Sequence, residues 1–403
     1  MDCSIDRLRT QDIVTLCVAT LLCLSVLMVQ SAAMQVTGHV GWGWTERGTR
    51  HLMYAGLAIA AFLLVSRFDY QTIFAPQRSI LTSPTAWATA VAIVLCAAVL
   101  VPGIGKEVNG ARRWLLLGPI QVQPSEIAKW SIVVFLAWWL TSSRADFSKF
   151  RMLLLTLVPV AIACLLIVIE DFGTAVLIGL CAFVMLMCSR IKKWHLLLLV
   201  PPVLAAGVWF IMHEDYRVRR MMAFVDPWAA PRGEGYHMVQ SLLSFSTGGI
   251  TGKGIGNGVQ KLGYLPEDTT DFIFAVVCEE LGLFGALLVI AMYMGILYVA
   301  WQMIRSKRDS FGKMLAFGIA AMICLQAVIN IAVATVSVPT KGLSLPLVSA
   351  GGSGMVIACA ALGLLCSVCK FRHEEISTPV AAAIPQRPPA SVSEDEWREW
   401  TSP

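Results

Sequence analysis

The 403-residue chain is 57% hydrophobic and only 14% charged, with a mean hydropathy of +0.70. Soluble domains carry about 25% charged residues, so this composition excludes a soluble enzyme and indicates a polytopic membrane protein. The formal charge of +5 is spread as a topology signal and gives no reason to expect nucleic acid as a partner.

In chain order, apolar runs predict helices at 12–33, 51–66, 85–102, 125–142, 152–169, 172–189, 194–212, 272–303, 314–337 and 348–369. That is an all-α membrane protein with about ten transmembrane helices of roughly 20 residues each. The second span is short, and the eighth is long enough to tilt or to extend beyond the bilayer. Ser31-Ala32-Ala33 mimics a cleavage site, but the apolar run before it is longer than the roughly 7–15 residues of a signal core, so the first helix is expected to stay. Basic residues recur in alternate connections: Arg67 and Arg78, then Arg144, Lys149 and Arg151, then Arg190, Lys192 and Lys193, then Arg305, Lys307, Arg308 and Lys313. This bias puts both termini in the cytoplasm. It leaves a large extracytoplasmic loop, 213–271, between helices 7 and 8. The twelve cysteines lie mostly within spans and read as small packing residues.

Residues 1–371 therefore form the membrane domain, and 372–403, rich in Pro, Ala and Ser, form a flexible cytoplasmic tail. No internal repeat is present, so an inverted-repeat transporter has no support.

Four outward segments bring polar residues to one side of the membrane. The first, "NGARRWLLLGPIQVQPSEIAKW", places Arg112 and Arg113 outside beside Trp114, either to bind an anion or to anchor at head groups. Lys129 falls about one turn inside the next span and faces a cavity or pairs with Glu126 three residues back. In "EDFGTAV", Glu170 and Asp171 open a span, where acids suit a helix N-terminus. "YRVRRMMAFVDPW" reads as an interfacial amphipathic segment or a phosphate grip.

The glycine-dense "SFSTGGITGKGIGNGVQKLGYLPEDTTDF" resembles a phosphate cradle made by backbone amides, without the spacing of a P-loop. Asp271, the last acid before the eighth span, is a general-base candidate because dehydration raises a carboxylate's basicity; a helix cap is the bland alternative. Glu279 and Glu280 lie two turns further on, inside the span, and intramembrane acids are a second functional hint. "VPTKGLSLPLVSAGGSG" supplies Lys341 and a Ser349-Ala350-Gly351-Gly352-Ser353 run that permits close backbone contact. Asn330, mid-span, is expected to bond a neighbouring helix.

Taken together and in this order, these motifs resemble the SEDS family (shape, elongation, division and sporulation), the FtsW/RodA/SpoVE group, over nearly the whole membrane region. The resemblance implies a peptidoglycan glycosyltransferase that polymerises lipid II on the outer face of the inner (cytoplasmic) membrane and releases undecaprenyl diphosphate. It implies Asp271 as catalytic residue, with Arg112, Arg113, Trp114, Lys129, Lys341 and Ser349 binding substrate. Glu126, Asp171, Glu279 and Glu280 support them. A divalent cation would help the leaving group, but no ligand cluster identifies one. A class B penicillin-binding transpeptidase is the implied partner, within the divisome or elongasome.

The chain departs from the family pattern at Asp268-Thr269, usually Ala-His, and at Glu170, usually Pro. Ala350 stands for a usual Tyr, and Gly354 for a frequent Ser. "PTKGLSLP" looks like the division branch; the alternatives are an elongation polymerase of the RodA kind, or a lipid II flippase. Asp271 discriminates, because a surface base serves polymerisation and has no obvious use in translocation.

Overall fold

The computed structural model describes residues 9–33, 45–74, 83–108, 111–117, 120–142, 149–261, 264–306, 309–340 and 342–371. Lys341 and the expected tail lie outside them. In chain order the elements are α1 (Thr10–Ala33), α2 (Glu46–Val65), α3 (Tyr70–Phe74), α4 (Pro84–Val99), β1 (Gly105–Val108), β2 (Ala111–Leu117), β3 (Ile120–Val122), α5 (Pro124–Thr141), α6 (Phe150–Val168) and α7 (Phe172–Met187). They continue with α8 (Lys193–Met212), α9 (Asp215–Val225), a single 3-10 turn (Pro227–Ala229), α10 (Tyr236–Gly248), α11 (Ile273–Arg305), α12 (Ser310–Ala334) and α13 (Ser353–Lys370). Every span expected from the sequence coincides with one of these helices. Seven of them are long and apolar enough to cross a membrane, and α4 and α7 are shorter apolar helices.

Helix starts follow ordinary capping chemistry. Thr45 caps α2 through the amide of Gly48, Asp171 caps α7, Asp309 caps α12, and Pro84 and Pro124 open α4 and α5. The core lies where α5, α7, α11, α12 and α13 meet, around Val133, Leu136, Ile178, Met185, Ile319, Met322 and Leu362. By contrast α8 buries only Leu196. An apolar helix with an unburied surface of that kind is a lipid-facing one.

Two expected loops carry structure of their own. Segment 103–124 folds as a three-stranded antiparallel sheet in the order β1-β2-β3, with Lys106 opposite Trp114 and an irregularity between Lys106 and Glu107. Segment 213–271 holds α9, which falls on the stretch read as an interfacial amphipathic segment, and α10, which no periodicity marked out.

The long α11 is not continuous. Gly282 has φ +65°, which breaks the helix and frees backbone groups that must be bonded elsewhere. The glycine-rich loop after α10 takes them up. The amides of Lys253 and Gly254 donate to the carbonyls of Glu279 (3.0 Å) and Glu280 (2.9 Å), and the Leu283 amide donates to the carbonyls of Gly249 and Ile250 (both 3.1 Å). This close approach requires glycine at Gly252, whose φ is +75° and where a Cβ would lie 2.2 Å from the Glu280 carbonyl oxygen.

Gly252→Ala is therefore expected to cost more than about 1 kcal/mol, read as a lower thermal midpoint in detergent. Gly179→Ala on α7, where a Cβ meets nothing within 4 Å, should leave the midpoint unchanged or raise it. Equal behaviour of the two variants would refute the packing role of the loop.

Candidate active site

The turn at 264–272 delivers Asp271 to the head of α11, and three neighbouring elements hold its backbone. Glu267 sits in the left-handed region (φ +56°), and its carbonyl accepts from the amides of Thr270 and Phe272 (both 3.2 Å). A non-glycine residue there stores strain. Asn330 of α12 donates its Nδ2 to the carbonyls of Asp271 (2.8 Å) and Leu343 (2.7 Å). It thus bonds two loops rather than the neighbouring helix expected. The Ser349 hydroxyl donates to the Thr270 carbonyl (2.5 Å) and accepts from the Leu345 amide (2.8 Å). The Ala350 amide donates to the Thr269 carbonyl (2.8 Å). Ser349 is buried and fully occupied by backbone; it clasps the turn, and no substrate contact is open to it in this arrangement.

The Asp271 carboxyl faces a cavity of ≈ 440 Å³ whose walls include Arg220, Glu234, His237, Glu267, Phe272, Thr340 and Gly342. Burial pushes this carboxyl up to about 7, and the charges of Glu267 and Asp171 push the same way, against Arg113 and Arg220. Asp268 is raised to about 6, chiefly by burial, while the Thr269 amide and Arg47 oppose the rise. The His237 imidazole is lowered by burial and then by Arg220, against Glu267, the Pro266 carbonyl and Glu234. Its ring lies nearly parallel to Phe272, with centroids 5.9 Å apart at 8°.

Arg113 on β2 approaches Asp271 beside Gly342, a residue of the same cavity wall. A Cβ on Gly342 would lie 3.4 Å from Asp271 Oδ2 and 3.9 Å from Arg113 Nη1, so the two side chains flank that glycine. Arg113 Nε is buried and has no hydrogen-bond partner among the described residues. Arg112 is tied down instead. Its amide donates to Glu170 Oε2 (2.8 Å) and its Nε pairs with Glu107 (3.3 Å). Trp114 is partly buried on the same strand. Arg112, Arg113, Ser125, Glu170 and Asp171 line a second, smaller pocket at the ends of α4 and α6. Asp171 caps α7 through the Thr174 amide (3.0 Å) and hydroxyl (2.8 Å), so the capping reading describes its contacts, while its charge also reaches Asp271.

Lys129 is buried away from the cavity wall. Its ammonium pairs with Glu126 (2.8 Å) and donates to Gln326 Oε1 (2.8 Å), and Gln326 Nε2 donates to the Ser344 carbonyl (2.8 Å). It links α5 and α12 to the loop that carries Thr340 and Gly342.

Glu279 and Glu280 are fully buried and correct the phosphate-cradle reading of the glycine-rich loop. That loop does cradle anions, but they are the chain's own carboxylates. Glu279 accepts from the amides of Val259 (2.8 Å) and Gln260 (3.2 Å) and from Lys253 Nζ (3.1 Å). Glu280 accepts from Lys261 Nζ (2.5 Å), the Gly256 amide (3.1 Å) and the Ser31 hydroxyl of α1 (2.8 Å). In the sequence Lys253 was considered only as a lysine without P-loop spacing, and Lys261 was not singled out. The signal available was two cations in a loop preceding two intramembrane acids, which demand partners. Among the described residues no group of three or more His, Cys, Asp or Glu is placed to hold a metal ion, so no residue is assigned to a divalent cation.

Residues 11–374 match the cell cycle protein family of FtsW, RodA and SpoVE. The chain belongs to this family. It is 44% identical over 276 residues to a probable peptidoglycan glycosyltransferase FtsW of Nitrosococcus halophilus, covering 67% of this chain and 70% of that one. It is 35% identical over 378 residues to the protein of the same name from Aliivibrio salmonicida, covering 92% and 90%. Among solved structures, a chain from a peptidoglycan synthase complex, described as coordinating polymerization and crosslinking, superposes with a TM-score of 0.70 at 25% identity, covering 89% and 96%. The matched family region runs from within α1 past the end of α13 and so contains the whole site.

Family membership makes the buried pair beneath the site testable. Lys261→Met would leave Glu280 charged and unpaired, a loss of about 3–5 kcal/mol. The double variant Lys261→Met/Glu280→Gln should recover most of it. Thermal unfolding in detergent measures both, and a single variant as stable as wild type would mean the charges are not coupled.

Proposed function

We propose that this chain is a peptidoglycan glycosyltransferase that polymerises lipid II on the outer face of the cytoplasmic membrane. In this reading both termini are cytoplasmic, about ten helices cross the bilayer, and the β1-β2-β3 sheet, α9, α10 and the loop between α12 and α13 lie at the outer surface. A class B penicillin-binding transpeptidase is its partner. The FtsW names of the relatives and the "PTKGLSLP" stretch support a septal role in division.

One observation carries the proposal: a carboxyl raised to about 7 lines a cavity, with Arg113, whose Nε has no partner among the described residues, beside the same wall residue Gly342. A base works best when its pKa lies near the operating pH. Asp271 takes the proton of the acceptor sugar's hydroxyl as that oxygen bonds to the donor's anomeric carbon. The bond from that carbon to the pyrophosphate oxygen breaks, and the electron pair leaves with undecaprenyl diphosphate. Arg113 meets the charge that develops there, since its free Nε is a preorganised donor. Arg112 and Trp114 hold the strand in place, and Lys129 fixes the loop opposite. Lys341, outside the described residues, is by sequence a further candidate cation for the leaving group.

The test is lipid II polymerisation by purified protein with its transpeptidase partner. Asp271→Asn should lose activity at least about 100-fold while remaining folded. Equal polymer from both proteins would remove Asp271 from the mechanism, and no polymer from wild type would favour a flippase. Wild-type kcat/KM should rise with pH through about 7, since the base must be ionised.

Stability should move the opposite way. The carboxyl rises from 3.8 to about 7 on folding, so the folded state holds the proton more tightly, and this contribution is lost as pH rises across that window. Asp271→Asn should therefore match wild type near pH 4 and exceed it near pH 8 in thermal midpoint, the pattern of a dehydrated carboxylate.

A further inference from the structure

We propose that Ser25 and His51 are positioning residues for the reaction: a hydrogen-bonded relay runs from His51 of α2 through Ser25 of α1 to the Val348 carbonyl, and so holds Ser349 against the turn that carries Asp271. This inference rests on the glycosyltransferase reading above and adds two residues that lie outside the site described there.

The direction of each bond follows from counting protons. Ser25 Oγ lies 2.8 Å from the Val348 carbonyl oxygen and 2.7 Å from His51 Nε2. A carbonyl has no proton to give, so the single hydroxyl proton of Ser25 goes to Val348. Ser25 Oγ then accepts on its other side, and the proton there belongs to His51 Nε2. A serine beside an imidazole is also the arrangement of a nucleophile and its base. Here the imidazole nitrogen is a donor and takes no proton from the serine, and both residues are buried. The pair is built to hold a carbonyl.

That carbonyl matters because of its neighbours in the chain. The Val348–Ser349 peptide is bonded on both sides, its oxygen by Ser25 and its amide by donation to the Leu345 carbonyl (3.0 Å). Just upstream, the Tyr293 hydroxyl of α11 donates to the Pro346 carbonyl (2.5 Å). Leu347, between these anchors, has φ +63°. A non-glycine residue in that region is strained and stays there only where its surroundings over-determine it. Without the Ser25 bond one anchor is gone and Leu347 is free to relax. Ser349 moves with it, and so does the hydroxyl that reaches the Thr270 carbonyl beside Asp271.

The bland alternative is a polar contact that only packs two helices and a loop. Polar bonds between membrane helices add little to stability, whereas a small misplacement of a reacting group slows turnover strongly. The two readings therefore differ in kcat and not in the thermal midpoint. The α1 helix also carries Ser31, which donates to Glu280 (2.8 Å). One helix thus braces both loops that hold the Asp271 segment.

The test is lipid II polymerisation by the full-length protein with its transpeptidase partner in nanodiscs, with thermal midpoints measured alongside. Ser25→Ala and His51→Leu should each lower kcat about tenfold or more, with KM within about threefold and the midpoint close to wild type. His51→Gln, whose side-chain amide keeps a donor, should restore most of the turnover. The double variant Ser25→Ala/Ser349→Ala should be no slower than Ser349→Ala alone, because both act through one clasp.

A folded Ser25→Ala with wild-type kcat overturns the proposal. So do losses that multiply in the double variant, a KM that rises while kcat holds, or a His51→Gln as slow as His51→Leu. Should Ser25→Ala fail to fold, the two His51 variants decide alone. A wild type that makes no polymer overturns the glycosyltransferase reading itself, and this inference with it.

Discussion

A helix that breaks within a membrane protein must have its freed backbone groups bonded, and the rest of this site depends on how that is done at Gly282. The nine residues from Ile273 to Leu281 form a short helical segment between the break and Asp271. Their far end is held by the glycine-rich loop, which bonds the Glu279 and Glu280 carbonyls with its amides and the two carboxylates with further amides and two lysines. Ser31 joins α1 to the same network. The near end is held by Asn330 and Ser349. Asp271 thus rides on a segment clamped at both ends, and the general base of the proposed reaction, which must meet a hydroxyl within hydrogen-bond reach, would need that rigidity.

The clamp explains why so much polarity is buried. Buried carboxylates without partners would be expensive in the membrane, yet Glu279 and Glu280 are matched donor by donor. Asp271 is treated differently. Its backbone is bonded, but its carboxyl is set among other acids and partly dehydrated, and that raises its basicity. The same stretch of chain contains satisfied acids, which fix position, and a frustrated one, which is left able to take a proton. Strained backbone at Glu267, Val336 and Leu347 falls in the two loops that meet there, the usual company of a site whose geometry is over-determined by its surroundings.

Much of this was legible in the sequence because bilayer physics is strict. Apolar length located every long helix, and each motif-bearing segment arrived at one end of the bundle, where Arg113, Asp171, Asp271 and Gly342 come together. What was not legible depended on pairings across long separations. Ser349 and Lys129 have residue types that suit ligand binding, but their atoms are taken by Thr270, Glu126 and Gln326. Lys261 looked like an ordinary loop cation until its distance to Glu280 was known. The β1-β2-β3 sheet was hidden because "ARRWLLL" alternates too little to announce a strand. The α9 helix falls on the stretch read as an interfacial amphipathic segment, but α10, short and set between Gly235 and Gly249, did not stand out.

Under the proposed function, acids stand at the mouth of this membrane helix because a polymerase of lipid-linked sugars must work where water is scarce enough to make a carboxylate basic and present enough to admit polar sugars. Position 271 meets both conditions: its backbone lies against buried α12, its carboxyl against an open cavity. Moving the acid one turn deeper would put it among Ala275 and Val276, fully buried, where no hydroxyl could reach it. Moving it one turn earlier would put it near Glu267, exposed and strained, where solvation would remove its basicity. The head of α11 satisfies both demands, and the clamp on Glu279 and Glu280 holds it there.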